Sequence, residues 1–526
     1  MKNFAKLYKR LDETVKINEK ISALVEYFES SDSEDSVWAV SFLICRKPKQ
    51  IIPASKLKEW VLELSNIPDW LFNESYQSVM DVIETLTLLL PKATGSADKS
   101  FHYWVEKFLS LKNKEERILK DEMISALNEM NNQERIVWNK LITGRFSVGV
   151  STKMVVKALS IYSGIDEYII AYRLMGKWKP SKDFFNTVIS HGSKDAFICK
   201  PYPFCLAFEL DNDVENLGNI NEWYVEWKWN GIRAQIIKRG GRFFIWSRSE
   251  EMMNEKFPEF EELGFLLPDG TVIDGEIISL QNGKPKPFTE LQKRIGKKNV
   301  TKKNIEDIPA VLIANDLIEF NGQDIRKESL LKRNGILNNL VNKILNKRLL
   351  MSSKIEANSW EELKEKREES RSRCVDGLML KKIESPYYEG GKRGDWWKWK
   401  IDPLTIDAVL IYAQRANGVR ENLYTDFTFG VWDRNELVPF AKVYSGLTEQ
   451  EIYKIDSFIK NNTIEKFGPV RIVKPELVFE IAFDGVQKSL RHKSGVAVSF
   501  PRINRWRNDK AIKDADSLQT IKALIY

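Results

Sequence analysis

From Phe4 to about residue 195 the apolar residues recur at intervals of three and four. Phe4, Leu7, Tyr8, Leu11 and Val15, then Ile21, Leu24, Val25 and Phe28, keep the spacing of an amphipathic helix. Trp60, Val61 and Leu62 continue it. A further helix is expected over 78–90, through Met80, and Pro91 ends it because proline lacks an N–H and clashes with the preceding turn. Asn131, followed by Glu134, supplies a start signal before Ile136-Val137-Trp138. The first part of the chain is therefore expected to be all helix, with most of its aromatic residues as core.

Near Pro201-Tyr202-Pro203-Phe204 the period changes to two. Read as a strand, 223–229 places Tyr224, Glu226 and Lys228 on one face and Trp223, Val225, Trp227 and Trp229 on the other. Asn230-Gly231 reads as a two-residue hairpin turn, since both residues tolerate positive φ, with the chain returning over 232–238. Gly240-Gly241 is a second tight turn, before a strand over 242–248. Buried-strand runs are expected over 271–278, which carries Asp274 and Glu276, and over 310–318. Between them 297–303, with Lys298, reads as a solvated basic loop. Helices are expected over 330–350 and 359–371, and strands over 375–381 and 396–400. In the last of these Lys398 and Lys400 share a face backed by Trp397 and Trp399, an arrangement suited to an anion between the lysines. Beyond Asp402-Pro403 come short strands (405–413, 424–432, 437–444, 477–483) with one helix over 448–461, the pattern of a small OB-type barrel, and a last helix over 517–524. The fold class is multi-domain α+β: an all-α domain over 1–200, an α+β domain with antiparallel sheets over 201–402, and an OB-fold β-barrel over 403–526.

Composition narrows the chemistry. At 526 residues the chain exceeds one ordinary core, and 43% hydrophobic residues exclude a disordered chain. No apolar run is long enough to span a bilayer and no signal peptide is seen, so the expectation is a cytoplasmic protein with no membrane partner. Cys45, Cys199, Cys205 and Cys374 lack Cys-x-x-Cys spacing, and His102, His191 and His492 are scattered, which argues against a zinc cluster. Four such thiols fit a reducing compartment. A net charge of +7, from 81 basic and 74 acidic residues, is compatible with a polyanionic partner without demanding one.

Two stretches carry candidate chemistry. Lys228 ends a strand whose back is aromatic and whose front holds a carboxylate. If desolvated there, it can shed its proton and act as a nucleophile; a surface lysine on an amphipathic strand is the alternative. In the stretch 143–151, Gly144 and Gly149 are five apart as in a phosphate-binding loop, but Val150 occupies the position of that motif's lysine, which excludes it. A glycine-relieved turn before a helix over 152–159 would instead offer backbone N–H groups to a nucleic-acid phosphate.

Taken in order, these stretches resemble the ATP-dependent DNA ligases of the nucleotidyltransferase superfamily. The family's Lys-x-Asp-Gly-x-Arg motif matches Lys228-Trp229-Asn230-Gly231-Ile232-Arg233. Ser247-Arg248, Asp274-Gly275-Glu276, Ala314-Asn315-Asp316-Leu317, the run from Asp376 to Lys381, Lys398-Trp399-Lys400 and Arg507-Asn508-Asp509-Lys510 follow in the family's order. The helical first part resembles the DNA-binding domain of larger cellular ligases, and the tail from Pro501 to Arg507 resembles bacterial members. The resemblance implies that Lys228 attacks ATP to form lysyl-AMP. It implies that Glu226, Arg233, Glu276, Asn315 and Arg393 contact the nucleotide, with Glu226 reading the adenine amino group. Arg248, Lys398 and Lys400 would hold the α-phosphate, and Arg507 and Lys510 the pyrophosphate, the barrel swinging about Asp402. Asp376, with Glu276, would bind Mg2+, or Mn2+ as an alternative. The implied partner is nicked duplex DNA, bound by a monomer associated with the nucleoid, with repair helicases or nucleases as further partners.

Four positions depart from the family pattern. Asn230 stands for an Asp, Asn315 for a ring that stacks on adenine, Asp376 for a Glu, and Ser147 for an Arg. They motivate an alternative, a ligase-derived DNA-binding protein with an impaired nucleotide site. An RNA ligase or capping-type nucleotidyltransferase is a second alternative, against which the long helical block argues.

Overall fold

In a computed structural model, described for residues 1–79, 81–91, 98–176, 178–191, 198–211, 213–297, 299–415, 423–467, 470–489 and 491–525, the helical spacing of the first part is realised throughout. Met80 and Lys298 lie outside the described residues. Twelve α-helices lie among the described residues between Lys2 and Val188. The first, Lys2–Glu13, buries Phe4, Leu7, Tyr8 and Leu11 as its spacing requires. Asn131 caps Asn132–Ile142 in a reciprocal capping box with Glu134. The helix expected over 78–90 begins later. Asp69–Val79 ends, and Asp81 caps a new helix, Val82–Leu89, by accepting from the Glu84 N–H at 2.9 Å.

The middle part is built on two sheets. The first has the order β1-β11-β10-β2, where β1 is Phe208–Glu209, β2 Trp223–Trp229, β10 Val375–Lys382 and β11 Trp396–Lys400. Only the β1–β11 pair is parallel. The second has the order β4-β3-β5-β7-β8, with β3 Ile232–Arg239, β4 Arg242–Ser247, β5 Thr271–Gln281, β7 Ala310–Phe320 and β8 Gln323–Asp324. β6, Lys284–Pro285, pairs with β5, and β9, Leu349–Met351, runs parallel to β7. The helix expected over 330–350 therefore stops early, at Leu330–Ile344. Leu345 turns left-handed (φ 48°), and the remaining apolar residues pair as β9. Trp223, Val225 and Trp227, with Leu378, Leu380, Trp397 and Trp399, form the apolar outer face of the first sheet, under Trp360 and Leu363.

Two turn readings had opposite outcomes. Gly240 (φ 56°) and Gly241 (φ 72°) make the expected hairpin between β3 and β4. Asn230-Gly231 does not make one, because β2 and β3 belong to different sheets. Here the glycine serves close approach rather than positive φ: a Cβ on Gly231 would lie 2.2 Å from the Ile277 carbonyl oxygen of β5. Trp229 also leaves the face assigned to it. It packs beside Ile278, Val311 and Ile313, and its indole N–H donates to Ser352 Oγ at 3.1 Å.

After β11 the chain forms the expected antiparallel barrel-type domain. Its long first strand, β12 (Leu404–Arg415), pairs with β13 (Tyr424–Asp433) on one edge. On the other edge it pairs with β17 (Val478–Phe483) and then β16 (Val470–Val473), so that it curves between neighbours. β14 (Glu436–Val443), β15 (Thr463–Phe467), the hairpin of β18 (Gly485–Lys488) and β19 (Val496–Ser499), and β20 (Arg502–Trp506) complete it, with the helix Glu449–Asn461 packed on β13. The helical part docks on the second sheet, where Tyr168 meets Trp246 edge-on at 5.0 Å and Tyr172 meets Phe244 at 5.3 Å. No helix among the described residues is long and apolar enough to cross a membrane.

The contact at Gly231 sets an expectation. Gly231→Ala should destabilise the middle part by about 1–3 kcal/mol, read as a lowered calorimetric midpoint, because backbone must move to admit the methyl group. An unchanged midpoint would contradict the close approach to Ile277.

Candidate active site

The register of β2 against β10 sets the geometry. Val375 pairs with Trp229 and Leu378 with Trp227, so two residues, Asp376 and Gly377, face the single Lys228. This is a β-bulge, and it re-aims the Asp376 side chain. Gly377 permits it with φ 130° and with the Trp399 carbonyl so close that a Cβ would lie 2.3 Å from its oxygen. Asp376 Oδ2 accepts from Lys228 Nζ at 2.8 Å, and Oδ1 accepts from Asn230 Nδ2 at 2.8 Å. The Lys228 side chain keeps 19% of its surface exposed.

Tyr224, Glu226 and Lys228 share the inner face of the first sheet, as their alternation predicts. Met379 and Lys398 lie in register with Glu226 across β10 and β11. Glu226 forms a buried ion pair with Lys381, and its second oxygen, Oε2, is buried without a hydrogen-bond partner among the described residues. Lys398 is half-buried. Burial pushes its ammonium below the ordinary value; Glu209 opposes this, and repulsion from Lys400, Lys228 and Arg248 adds to it. Lys400, at the exposed end of the strand, pairs with Glu209. Arg248 is exposed just beyond β4, its backbone N–H held by the Arg233 carbonyl at 2.9 Å.

The crossing at 230–231 brings Arg233 to the site from the second sheet. Its guanidinium grips Asp274 through Nε and Nη2 at 2.6 and 2.7 Å, and the Tyr387 hydroxyl donates to the same carboxylate at 2.6 Å. Glu276 lies opposite Arg233 in register on β5. Among the described residues its carboxylate has neither hydrogen bond nor ion pair. Burial pushes it up to about 7, against the attraction of Arg233 and Lys228. Asn315 is the extra residue of a second bulge, between the pairs Gly275–Ala314 and Asp274–Asp316. Its carbonyl accepts from Lys381 Nζ at 3.3 Å, and its side-chain oxygen is buried without a partner among the described residues.

Four expected residues stand apart from this cleft. Arg393 pairs with Asp211 at 3.2 Å and lies over Phe208 and Trp397, on the outer face of the sheet. Its nearness to Lys398 in sequence is misleading, because Trp397 points outward there. Arg507 and Lys510 lie on the barrel, both bound to Asp407. Asp402, between the two parts, accepts from Arg367 Nη2 at 3.0 Å. Sequence reasoning missed Lys381, Tyr387 and Asp407 as partners of these groups. Alternation on β10 places Lys381 on the inner face, so it was legible; nothing in the sequence marks the other two. In the stretch 143–151, Lys47 Nζ donates to the Gly144 and Phe146 carbonyls and Lys20 Nζ to those of Val148 and Gly149, which fixes the turn before the helix Thr152–Ser163.

The chain matches three family models: DNA ligase N terminus over residues 1–160, ATP dependent DNA ligase domain over 206–400, and ATP dependent DNA ligase C terminal region over 420–510. A probable DNA ligase of Koribacter versatilis is 30% identical over 408 residues, covering 72% of this chain and 70% of that protein. DNA ligase 1 of Korarchaeum cryptofilum is 23% identical over 560 residues, covering 100% of this chain and 98% of that protein. Among solved structures, the ATP-dependent DNA ligase from bacteriophage T7 in complex with ATP aligns with a TM-score of 0.33 at 16% identity, over 58% of this chain and 98% of that one.

Glu276 makes stability depend on pH. A carboxyl raised from 4.5 to about 7 binds its proton more tightly in the folded chain, so stability falls as pH rises through that interval. Relative to Glu276→Gln, the wild type should lose up to about 3 kcal/mol between about pH 4 and pH 8 in metal-free buffer. The check is the difference in thermal midpoint across that range; a constant difference would show that Glu276 titrates normally.

Proposed function

The chain belongs to the ATP-dependent DNA ligase family, and from that membership we propose that it seals nicks in duplex DNA through a lysyl-AMP intermediate. The observation that carries the reading is the half-buried Lys228 amine, held by Asp376 between two sheets and flanked by the cations of Lys398, Lys400 and Arg248. In this reading residues 1–200 grip DNA, 201–402 adenylylate, and 403–526 form the mobile barrel.

Lys228 Nζ attacks the α-phosphorus of ATP. The bond to the bridging oxygen breaks, pyrophosphate leaves, and a phosphoramidate to AMP remains. The amine must be neutral to attack, and a proton it sheds already lies on the hydrogen bond to Asp376 Oδ2. Lys398, Lys400 and Arg248 meet the α-phosphate and stabilise the charge that grows on it. The unpartnered Glu226 Oε2 suits a donor such as the adenine amino group. Arg233, fixed by Asp274 and Tyr387, and Glu276 flank the ribose and AMP. Asn315 presents a polar amide rather than a ring to the base, which lowers affinity by about 1 kcal/mol through lost stacking.

Asp376 and Glu276 offer the all-oxygen donor set of a hard divalent cation. Glu276, up-shifted and without a partner among the described residues, is a group that a cation would relieve, so the residues fit Mg2+, or Mn2+ on the same oxygens. When bound, such an ion supplies charge neutralisation at the phosphate. In the second step an oxygen of the 5′-phosphate at the nick takes AMP, the P–N bond breaks and Lys228 is regenerated. In the third, the 3′-hydroxyl attacks that phosphate and AMP leaves. Arg507 and Lys510 reach the pyrophosphate only once the barrel turns toward the cleft about Asp402, and it must turn away again before DNA binds.

Incubation with α-labelled ATP and Mg2+ should place an acid-labile label on the wild-type chain and none on Lys228→Ala. Labelling by GTP instead would favour a capping-type enzyme. No label from either nucleotide would favour the ligase-derived binding protein.

A further inference from the structure

We propose that Asp407 is a positioning residue for the adenylylation step, holding Arg507 and Lys510 as one convergent cationic pair. The inference rests on the reading that these two cations take the pyrophosphate. Asp407 sits within β12, where it pairs with Glu480 of β17. Its backbone is pinned on both sides by Asp516: the Asp407 N–H donates to Asp516 Oδ2 at 2.8 Å, and the Asp407 carbonyl accepts the Asp516 N–H at 2.8 Å. The side chain is 10% exposed. One oxygen, Oδ2, accepts from both Arg507 Nη1 at 2.8 Å and Lys510 Nζ at 2.7 Å, while Oδ1 is buried without a partner among the described residues.

The remaining contacts of Arg507 are of a different kind. Its Nε and Nη2 edge is taken by Asp509 at 2.9 and 2.8 Å, and the Asp509 side chain is 67% exposed. The guanidinium thus faces two largely buried carboxylates on one side, Asp407 in hydrogen-bond contact and Glu480 Oε2 at 3.9 Å, and a solvated one on the other. An incoming phosphate can replace the solvated carboxylate at little cost. It cannot replace Asp407, because a buried charge stripped of both partners is far costlier. Asp407 therefore stays bound while the ligand exchanges, and it fixes the angle between the two cations. Without its charge, Arg507 keeps Asp509 and Glu480, Lys510 loses the carboxylate it shares with Arg507, and the two cations part. The ladder of β12 with β13 and β17 does not need this carboxylate.

The test uses Asp407→Asn in the full chain, with two assays. One follows self-adenylylation from α-labelled ATP over a range of ATP concentrations. The other follows sealing, without ATP, of a chemically prepared 5′-adenylylated nick, a step that leaves the pyrophosphate site idle. We expect the kcat of self-adenylylation to fall about 10- to 100-fold while sealing stays within about twofold. An equal loss in both assays would make Asp407 merely structural and overturn the proposal, as would no loss in either. Arg507→Ala separates the two readings. If it lowers self-adenylylation and Asp407→Asn does not, only the role of Asp407 fails; if it lowers nothing, the pyrophosphate reading fails with it. Asp407→Ser serves, with the same two expected outcomes, if the Asn variant does not fold.

Discussion

The Asp376 carboxylate clamps the chain at the point where it changes sheets. One oxygen takes Lys228 at the end of β2, and the other takes Asn230 in the crossing, each at 2.8 Å. Only two residues separate β2 from β3, so the strands of two different sheets must almost touch. Gly231 admits the Ile277 carbonyl, and the Trp229 indole anchors the strand end on Ser352. The consequence is chemical. Lys228 and Arg233, five residues apart, come to the cleft from opposite walls, which no hairpin could achieve.

The same contact bears on two of the departures from the family pattern. Carboxylates at both 230 and 376 would set two negative charges side by side, and each would raise the cost of ionising the other. Here an amide donates to the single carboxylate, and the shorter Asp376 is drawn to Lys228 by the bulge and by Asn230 together. Two substitutions that look like decay in sequence form one hydrogen bond in the fold. Asn315 is different. Its side-chain oxygen is buried, with no hydrogen-bond partner among the described residues.

Alternation made much of this legible. Period two identified the inner residues Tyr224, Glu226 and Lys228, the shared face of Lys398 and Lys400, and the carboxylates of β5. It failed where one residue breaks the period. The bulges at Asp376-Gly377 and at Asn315 are single insertions that leave no mark in a pattern of polar and apolar positions. Asn230-Gly231 misled for a related reason. Turn propensity reports which residues tolerate positive φ, whereas this glycine is required by the distance to another strand. The Glu226–Lys381 pair, the Tyr387 contact with Asp274 and the hold of Asp407 on the barrel cations all span a hundred residues or more, beyond the reach of local spacing.

The cations proposed to meet ATP are mostly neutralised already. Lys228 is held by Asp376, Lys400 by Glu209, and Arg507 and Lys510 by Asp407. Lys398 has no ion pair among the described residues, and burial lowers the stability of its charge. A cluster of bare cations in a half-buried cleft would repel itself; internal carboxylates let it fold without a ligand. Phosphate binding is then an exchange of one anion for another rather than the filling of an empty field. In the proposed reading the free energy gained is a difference between two pairings, an arrangement that favours release of pyrophosphate. What remains large in that reading is the effect of geometry, since a triphosphate would engage the cations of both the cleft and the barrel only if the two closed on it together.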